Sequence, residues 1–128
     1  ANSDRHWRNF GVVRDIETLE FRMAPLFDTG NCLWFGKTDQ EVRAKDWAFR
    51  ALPFGAHPAD ALACIDDLAW FDPLALDGFV DEACEILSGS RHVAQGERLD
   101  FVREGLGRNI ALVRDAAKVL KPRIERGW

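Results

Sequence analysis

Residues 2–11 read Asn-Ser-Asp-Arg-His-Trp-Arg-Asn-Phe-Gly, and residues 27–30 read Phe-Asp-Thr-Gly. The first stretch places a carboxylate and an amide five residues apart, at Asp4 and Asn9, and the second adds Asp28. Phosphoryl transfer needs a carboxylate that accepts the proton of the attacking hydroxyl, together with oxygen ligands for magnesium. These three side chains have the required types, provided that the intervening chain folds back and brings Asp28 alongside the first stretch.

The segment between the two stretches has the pattern of a β-hairpin. We predict strands over Gly11–Arg14 and Leu19–Met23, joined by a turn at residues 15–18. In the second strand Leu19, Phe21 and Met23 alternate with charged residues, which is typical of a half-buried strand. Pro25 ends this strand, since proline cannot donate to the ladder.

The rest of the chain is predominantly helical in pattern. Residues 38–41, Thr-Asp-Gln-Glu, have the form of a capping box and fit either a short helix over about 39–44 or an irregular surface segment. Three further helices are predicted, from Pro58 to about Phe71, from Asp77 to Leu87, and from about Gly96 to Lys121.

The last of these helices has the most regular apolar pattern in the sequence. Its apolar positions recur every three or four residues, at Leu99, Val102, Leu106, Ile110, Val113, Ala117 and Leu120. Gly105 and Gly107 lie inside it and cost roughly 1 kcal/mol each relative to Ala. We therefore expect packing to compensate for them.

These elements predict a mainly α fold with a short β-hairpin. The 128 residues are enough for one core. We expect a single domain over residues 1–128, in which residues 1–35 form the loop and hairpin segment and residues 56–128 form a helical subdomain. Nothing repeats internally, and no low-complexity linker divides the chain.

Charge and hydropathy exclude several classes of function. The net charge is −4, from 17 basic and 21 acidic residues that are well mixed, so direct DNA binding is disfavoured. No run of 18 apolar residues occurs, so no membrane association is expected. Cys32, Cys64 and Cys84 have no zinc-site spacing and are expected to be free buried thiols, which fits a cytoplasmic location.

Residues 4–9, the hairpin and residues 27–30 together resemble the catalytic loop and metal-binding segment of protein-kinase-like folds. More narrowly, Asn-Ser-Asp-Arg-His at 2–6, Asn-Phe-Gly at 9–11 and Ala-Pro-Leu-Phe-Asp at 24–28 look like the HipA-like serine/threonine kinases. The founding members of that family are toxins of toxin–antitoxin modules. The resemblance covers about a quarter of the chain, and the helical remainder fits only the general character of a carboxyl-terminal large lobe.

The resemblance implies a role for each of the three residues. Asp4 is then the catalytic base, Asn9 a magnesium ligand, and Asp28 the metal-binding Asp of a DFG-like segment. His6 is a structural member of the loop that bonds to backbone. The implied cofactors are Mg²⁺ and ATP, the substrate is a Ser or Thr hydroxyl of an unidentified protein, and an antitoxin is an implied partner.

The family's glycine-rich phosphate loop and ATP-binding lysine would precede Asn2. We therefore expect this chain to be a fragment of a kinase, inactive alone and without bound cofactor. Such a fragment would expose apolar surface, so self-association through that surface is expected.

Two other functions compete with the kinase hypothesis. One is a non-catalytic protein- or DNA-associated module of a mobile element, of the kind labelled excisionase-like, that retains kinase ancestry. The other is a helical interaction domain in which Asp4, Asn9 and Asp28 are only turn formers, as single Asp and Asn residues usually are. In the second case the three side chains should lie far apart and point away from one another.

Overall fold

A computed structural model describes residues 2–4, 6–50, 57–66, 68, 70–90 and 96–120. About half of these residues are helical, and the only β-sheet among them is a two-stranded antiparallel hairpin. The prediction of a mainly α fold with a short hairpin is confirmed. The helices are α1 (Asp39–Arg43), α2 (Pro58–Ala63), α3 (Phe79–Ser88) and α4 (Glu97–Val119), with 3-10 turns at Trp7–Asn9 and Pro73–Leu76.

The hairpin consists of β1 (Val12–Arg14) and β2 (Phe21–Met23). Val12 pairs with Met23 and Arg14 with Phe21, so the turn lies where the sequence predicts it. The predicted half-burial is wrong, because every residue of both strands is exposed. The alternating pattern identified an apolar face, but the described chain packs nothing extensive against that face.

Helix α1 resolves the alternative that the sequence left open at residues 38–44. Its capping box is complete: the Thr38 hydroxyl accepts the backbone N–H of Glu41, and the Glu41 carboxylate accepts the backbone N–H of Thr38. These two bonds satisfy amides that the first turn of a helix leaves without partners. The segment is therefore a short helix.

Helix α2 is shorter than the prediction of Pro58 to about Phe71. It begins with Pro58 at its first position and ends at Ala63, where the chain turns away. Asp66 follows, a residue of low helix propensity. Asp72 follows the predicted end of this helix, and its carboxylate accepts the Leu74 N–H and caps the next 3-10 turn.

Helices α3 and α4 pack against each other and agree closely with the predicted ranges. Lys121, the predicted end of the last helix, lies outside the described residues, and α4 ends at Val119. Exposed ion pairs join the two helices and the turn before them: Arg103 pairs with Asp81, and Arg114 with Asp77 at 2.5 Å.

The core lies where α4 meets α1 and the segment that precedes α1. Its buried apolar members are Trp34, Val42, Phe101, Val102 and Leu106. The expectation that the cysteines are buried holds only in part, since Cys84 is buried, Cys32 is partly buried and Cys64 is exposed. All three cysteines are free thiols.

Gly105 explains how α4 accommodates a glycine in its interior. A Cβ at this position would lie 2.5 Å from the Trp34 ring and 2.6 Å from the Trp47 ring. The absent side chain lets both indoles approach the helix backbone, and the Trp47 indole N–H donates to the Phe101 carbonyl at 2.9 Å. The expected packing compensation is present at Gly105 but not at Gly107, where a Cβ would meet nothing within 4 Å.

None of the helices in the described part of the chain combines the length and the apolar content that crossing a membrane requires.

Candidate functional site

Asn9 closes the first 3-10 turn and is the one polar residue among the described residues that is buried, at 2% exposure. Its side-chain amide hydrogen-bonds to both Asp28 and His6. Nδ2 donates to Oδ2 of Asp28 at 2.5 Å, and Oδ1 accepts the backbone N–H of His6 at 3.0 Å. A buried amide without partners would cost about 1 to 3 kcal/mol, so these bonds fix the position of Asn9.

Asp28 lies in the loop that follows the hairpin, with a backbone φ of 54°. This left-handed conformation is uncommon for a residue with a side chain, although Asp tolerates it better than most. Four other non-glycine residues of the described chain share it, so the strain alone does not mark a site. The carbonyl of Asp28 accepts the side-chain amide of Asn2 at 3.4 Å, which ties this loop to the start of the chain.

Asp4 is held by two asparagine side chains. Its backbone N–H donates to Oδ1 of Asn2 at 2.9 Å, and its Oδ2 accepts the Nδ2 of Asn31 at 3.2 Å. About half of the Asp4 side chain is exposed. No Lys or Arg within the described residues forms an ion pair with Asp4 or Asp28, and within that part of the chain His6 is the basic residue that lies near Asp4.

Asn2 and Asn31 connect the two ends of this segment. The backbone N–H of Ser3 donates to the Asn31 carbonyl at 3.2 Å, and Asn2 forms an isolated antiparallel bridge with Cys32. The chain leaves this region through the hairpin, and the Asn2–Cys32 bridge lies where the chain comes back to its starting segment. The Asn9–Asp28 bond and the Asn31–Asp4 bond are therefore parts of one closed loop.

His6 adjoins Asp4 without a hydrogen bond between the two side chains. Its Nε2 lies 4.0 Å from Oδ1 of Asp4, and its Nδ1 is a buried atom with no partner in the described structure. The bond to backbone expected for the imidazole is not found at Nδ1. It is instead the backbone N–H of His6 that joins the loop, through Oδ1 of Asn9.

The donor set suits a hard cation. Within the described residues no group of three or more His, Cys, Asp or Glu side chains is placed to hold a metal ion. Asn9 and Asp28 instead pair an amide with a carboxylate, and magnesium is often held by only one or two protein groups together with substrate phosphates. A cation between Asn9 and Asp28 would replace the bond from Nδ2.

A surface pocket of about 270 Å³ lies close to Asp4. Asn31, which donates to the Asp4 carboxylate, is one of the residues that line the pocket. Its lining includes Ser3, Lys37 and Arg50. The Lys37 ammonium donates to both Glu41 and Asp46, at 3.1 and 2.7 Å. Burial opposes the charge of Lys37, but its bonds to the two carboxylates outweigh burial, so the pKa of Lys37 is raised.

Comparison with known proteins adds no relative: no family model matches the sequence, and no curated protein or solved structure shows significant similarity to it.

The structure brings Asn9 and Asp28 into direct contact and ties Asp4 to the same loop. The arrangement expected of three unrelated turn formers, far apart and pointing away from one another, is therefore not found for Asn9 and Asp28. Sequence reasoning missed Asn2 and Asn31, which hold the two carboxylate-bearing segments together. Their only signal is position, since each lies beside a candidate residue, and asparagine in a loop is ordinarily a turn former.

Proposed function

We propose that this chain carries the catalytic base and the magnesium ligands of a HipA-like serine/threonine kinase, as a carboxyl-terminal portion of a kinase-like large lobe. The observation that supports this most is the hydrogen-bonded contact between Asn9 and Asp28. It joins two residues from opposite sides of a hairpin, and their side chains are of the types that hold magnesium in phosphotransferases.

Asp4 is the proposed general base. One of its oxygens accepts from Asn31, and the half-exposed carboxylate keeps acceptor capacity for an incoming hydroxyl. In the reaction the Ser or Thr oxygen forms a bond to the γ-phosphorus of ATP, and the bond from that phosphorus to the bridging oxygen breaks. ADP leaves, and the hydroxyl proton moves to the carboxylate.

Asn9 and Asp28 are the proposed metal ligands. A bound magnesium ion neutralises charge on the β- and γ-phosphates. Before a metal binds, the chain holds Asp28 in place through the bonds from Asn9 and Asn2, which position its carboxylate to receive the ion. We assign no residue of this chain to ATP binding and expect the 128 residues alone not to transfer phosphate.

The partners in this proposal are a protein that offers a Ser or Thr hydroxyl and an antitoxin, and ATP is the phosphate donor. The alternative is a non-catalytic module with kinase ancestry that contacts protein or DNA. A mobility-shift assay with generic duplex DNA tests whether such a module contacts DNA. Because the net charge is −4, we expect no mobility shift at moderate salt.

Manganese titration followed by amide NMR tests the metal site. Mn²⁺ takes the oxygen ligands that suit magnesium and broadens nearby signals. We expect the amides of Asp4, Asn9 and Asp28 to broaden first, and the effect to disappear in Asp28→Asn.

Asp15→Asn is the matched control. Asp15 is a carboxylate of the same hairpin, and it accepts the backbone N–H groups of Glu17 and Thr18, a role that an Asn oxygen can also fill. This variant should broaden as the parent chain does. Broadening that begins elsewhere, or that persists at Asp28 in the Asp28→Asn variant, would count against the assignment.

A further inference from the structure

The hairpin carries an apolar surface that the described chain leaves uncovered. We call the following side chains the hairpin surface: Val12, Ile16, Leu19, Phe21 and Met23. Each of them is between 55% and 89% exposed. Val12 and Met23 are directly paired across the strands, and Phe21 lies two residues from Met23, so these three share one face.

A hairpin that faces only water gains no stability from so much exposed apolar surface. A lone two-stranded hairpin is marginally stable in water, and stable hairpins gain from packing one face against another layer. Here β1 and β2 pack mainly against each other. The one charged side chain on the face of Val12 and Met23 within the strands is Arg14, whose guanidinium lies 5.6 Å from the centre of the Phe21 ring. An arginine in this position can cover the ring and still reach water.

We propose that a second copy of this chain covers the hairpin surface, with the two hairpins stacked face to face about a two-fold axis. An isologous contact requires only that the surface complement itself. The hairpin surface is apolar, and Arg14 on the same face can keep its guanidinium in water at the edge of the contact. The two sheets would then pack as stacked sheets do, about 10 Å apart, with the apolar side chains between them.

The available area is close to what such a contact needs. With about 150 to 200 Å² for each large apolar side chain, the hairpin surface exposes on the order of 600 Å². A standard interface takes roughly 800 Å² from each partner. The remainder would come from the neighbouring exposed Leu26. A contact of this size predicts a dimer that dissociates on dilution rather than an obligate one.

The test is sedimentation of the chain over a range of concentrations, with one variant in each strand of the hairpin. Phe21→Lys places a charge in the hairpin surface, and we expect the dimer to weaken at least tenfold. Val13→Lys places the same charge on the opposite face of β1, because successive residues of a strand point to opposite faces, and should leave the dimer unchanged. A monomer at every concentration would overturn the proposal, and so would a dimer that Phe21→Lys does not weaken.

Filtered NMR on mixed labelled and unlabelled chains locates the contact. We expect intermolecular proton contacts between Phe21 and Met23 of different copies. Contacts that instead involve another exposed apolar residue, such as Trp70 or Ile86, would place the interface elsewhere and contradict the proposal. Circular dichroism of both variants shows whether the fold is retained. Since both substitutions are at exposed positions, we expect no loss of helix signal.

Discussion

The Asn9 side chain donates to the Asp28 carboxylate at 2.5 Å, and Asn9 is buried while Asp28 is exposed. The contact spans the whole hairpin, since the partners are 19 positions apart in the sequence. A buried amide that orients an exposed carboxylate leaves the carboxylate accessible to a cation while its position stays fixed. This combination distinguishes the pair from two asparagine or aspartate residues that only cap turns.

Coupling between these two residues is measurable with a double-mutant cycle. We expect Asn9→Ala to destabilise the chain, since it removes the bonds to both Asp28 and His6. A hydrogen bond to a charged group contributes about 1.5 to 3 kcal/mol, so the coupling energy with Asp28→Ala, which removes the acceptor, should approach that range. Urea unfolding of the parent, the two single variants and the double variant gives this energy. Simple additivity of the two single effects would show that the contact contributes nothing.

Two glycines of α4 provide a matched pair for the core. Gly105→Ala should destabilise the chain by about 1 to 3 kcal/mol, because the new methyl group would overlap the Trp34 and Trp47 rings. Gly107→Ala adds a methyl group with no neighbour within 4 Å and should stabilise the chain by up to about 1 kcal/mol through helix propensity. Urea midpoints of both variants check this. Equal effects at the two positions would contradict the described packing.

Lowering the pH should weaken the ion pairs that Lys37 forms with Glu41 and Asp46. The pKa of Asp46 is lowered by the hydrogen bond from Lys37 and then by the Ala48 N–H. The pKa of Glu41 is lowered by the Thr38 N–H, then by the Thr38 hydroxyl and by Lys37. A carboxyl whose pKa is lower in the folded state contributes stability above its unfolded pKa, near 4, and loses it as the pH falls through the folded value.

Asp46→Asn isolates that contribution. The variant should be less stable than the parent at pH 6, and the difference should shrink below about pH 4, as the parent's Asp46 becomes protonated. Urea unfolding from pH 6 to pH 2 measures it. A stability difference that does not change with pH would mean that the charge of Asp46 makes no contribution in the folded chain.

Local signals in the sequence predicted the helices well where the deciding contacts are also local. The capping box of Thr38 and Glu41 and the apolar period of α4 each lie within a few turns of the chain, and both are found in the structure. Helix α2 was predicted too long, because the apolar spacing through Leu62 and Leu68 continued past the point where the chain leaves the helix.

The features that the sequence did not predict depend on distant partners. An alternating strand pattern shows which residues share a face, but it cannot show whether anything covers that face, and the hairpin is exposed. The fit of Gly105 against Trp34 and Trp47 is also absent from any local pattern. At the site, residue types and spacing were enough to predict that Asn9 and Asp28 belong to it. The bonds from Asn2 and Asn31 could not be predicted, because they join residues that come together only when the loop closes.

Competition between Mn²⁺ and Mg²⁺ tests most directly whether Asn9 and Asp28 form a metal site. Mg²⁺ takes the same oxygen ligands as Mn²⁺ but does not broaden nearby signals, so it should displace Mn²⁺ from a site that suits magnesium. We predict that excess Mg²⁺ restores the amide signals of Asn9 and Asp28 that Mn²⁺ has broadened. Broadening of these two amides that excess Mg²⁺ leaves unchanged would contradict the proposal.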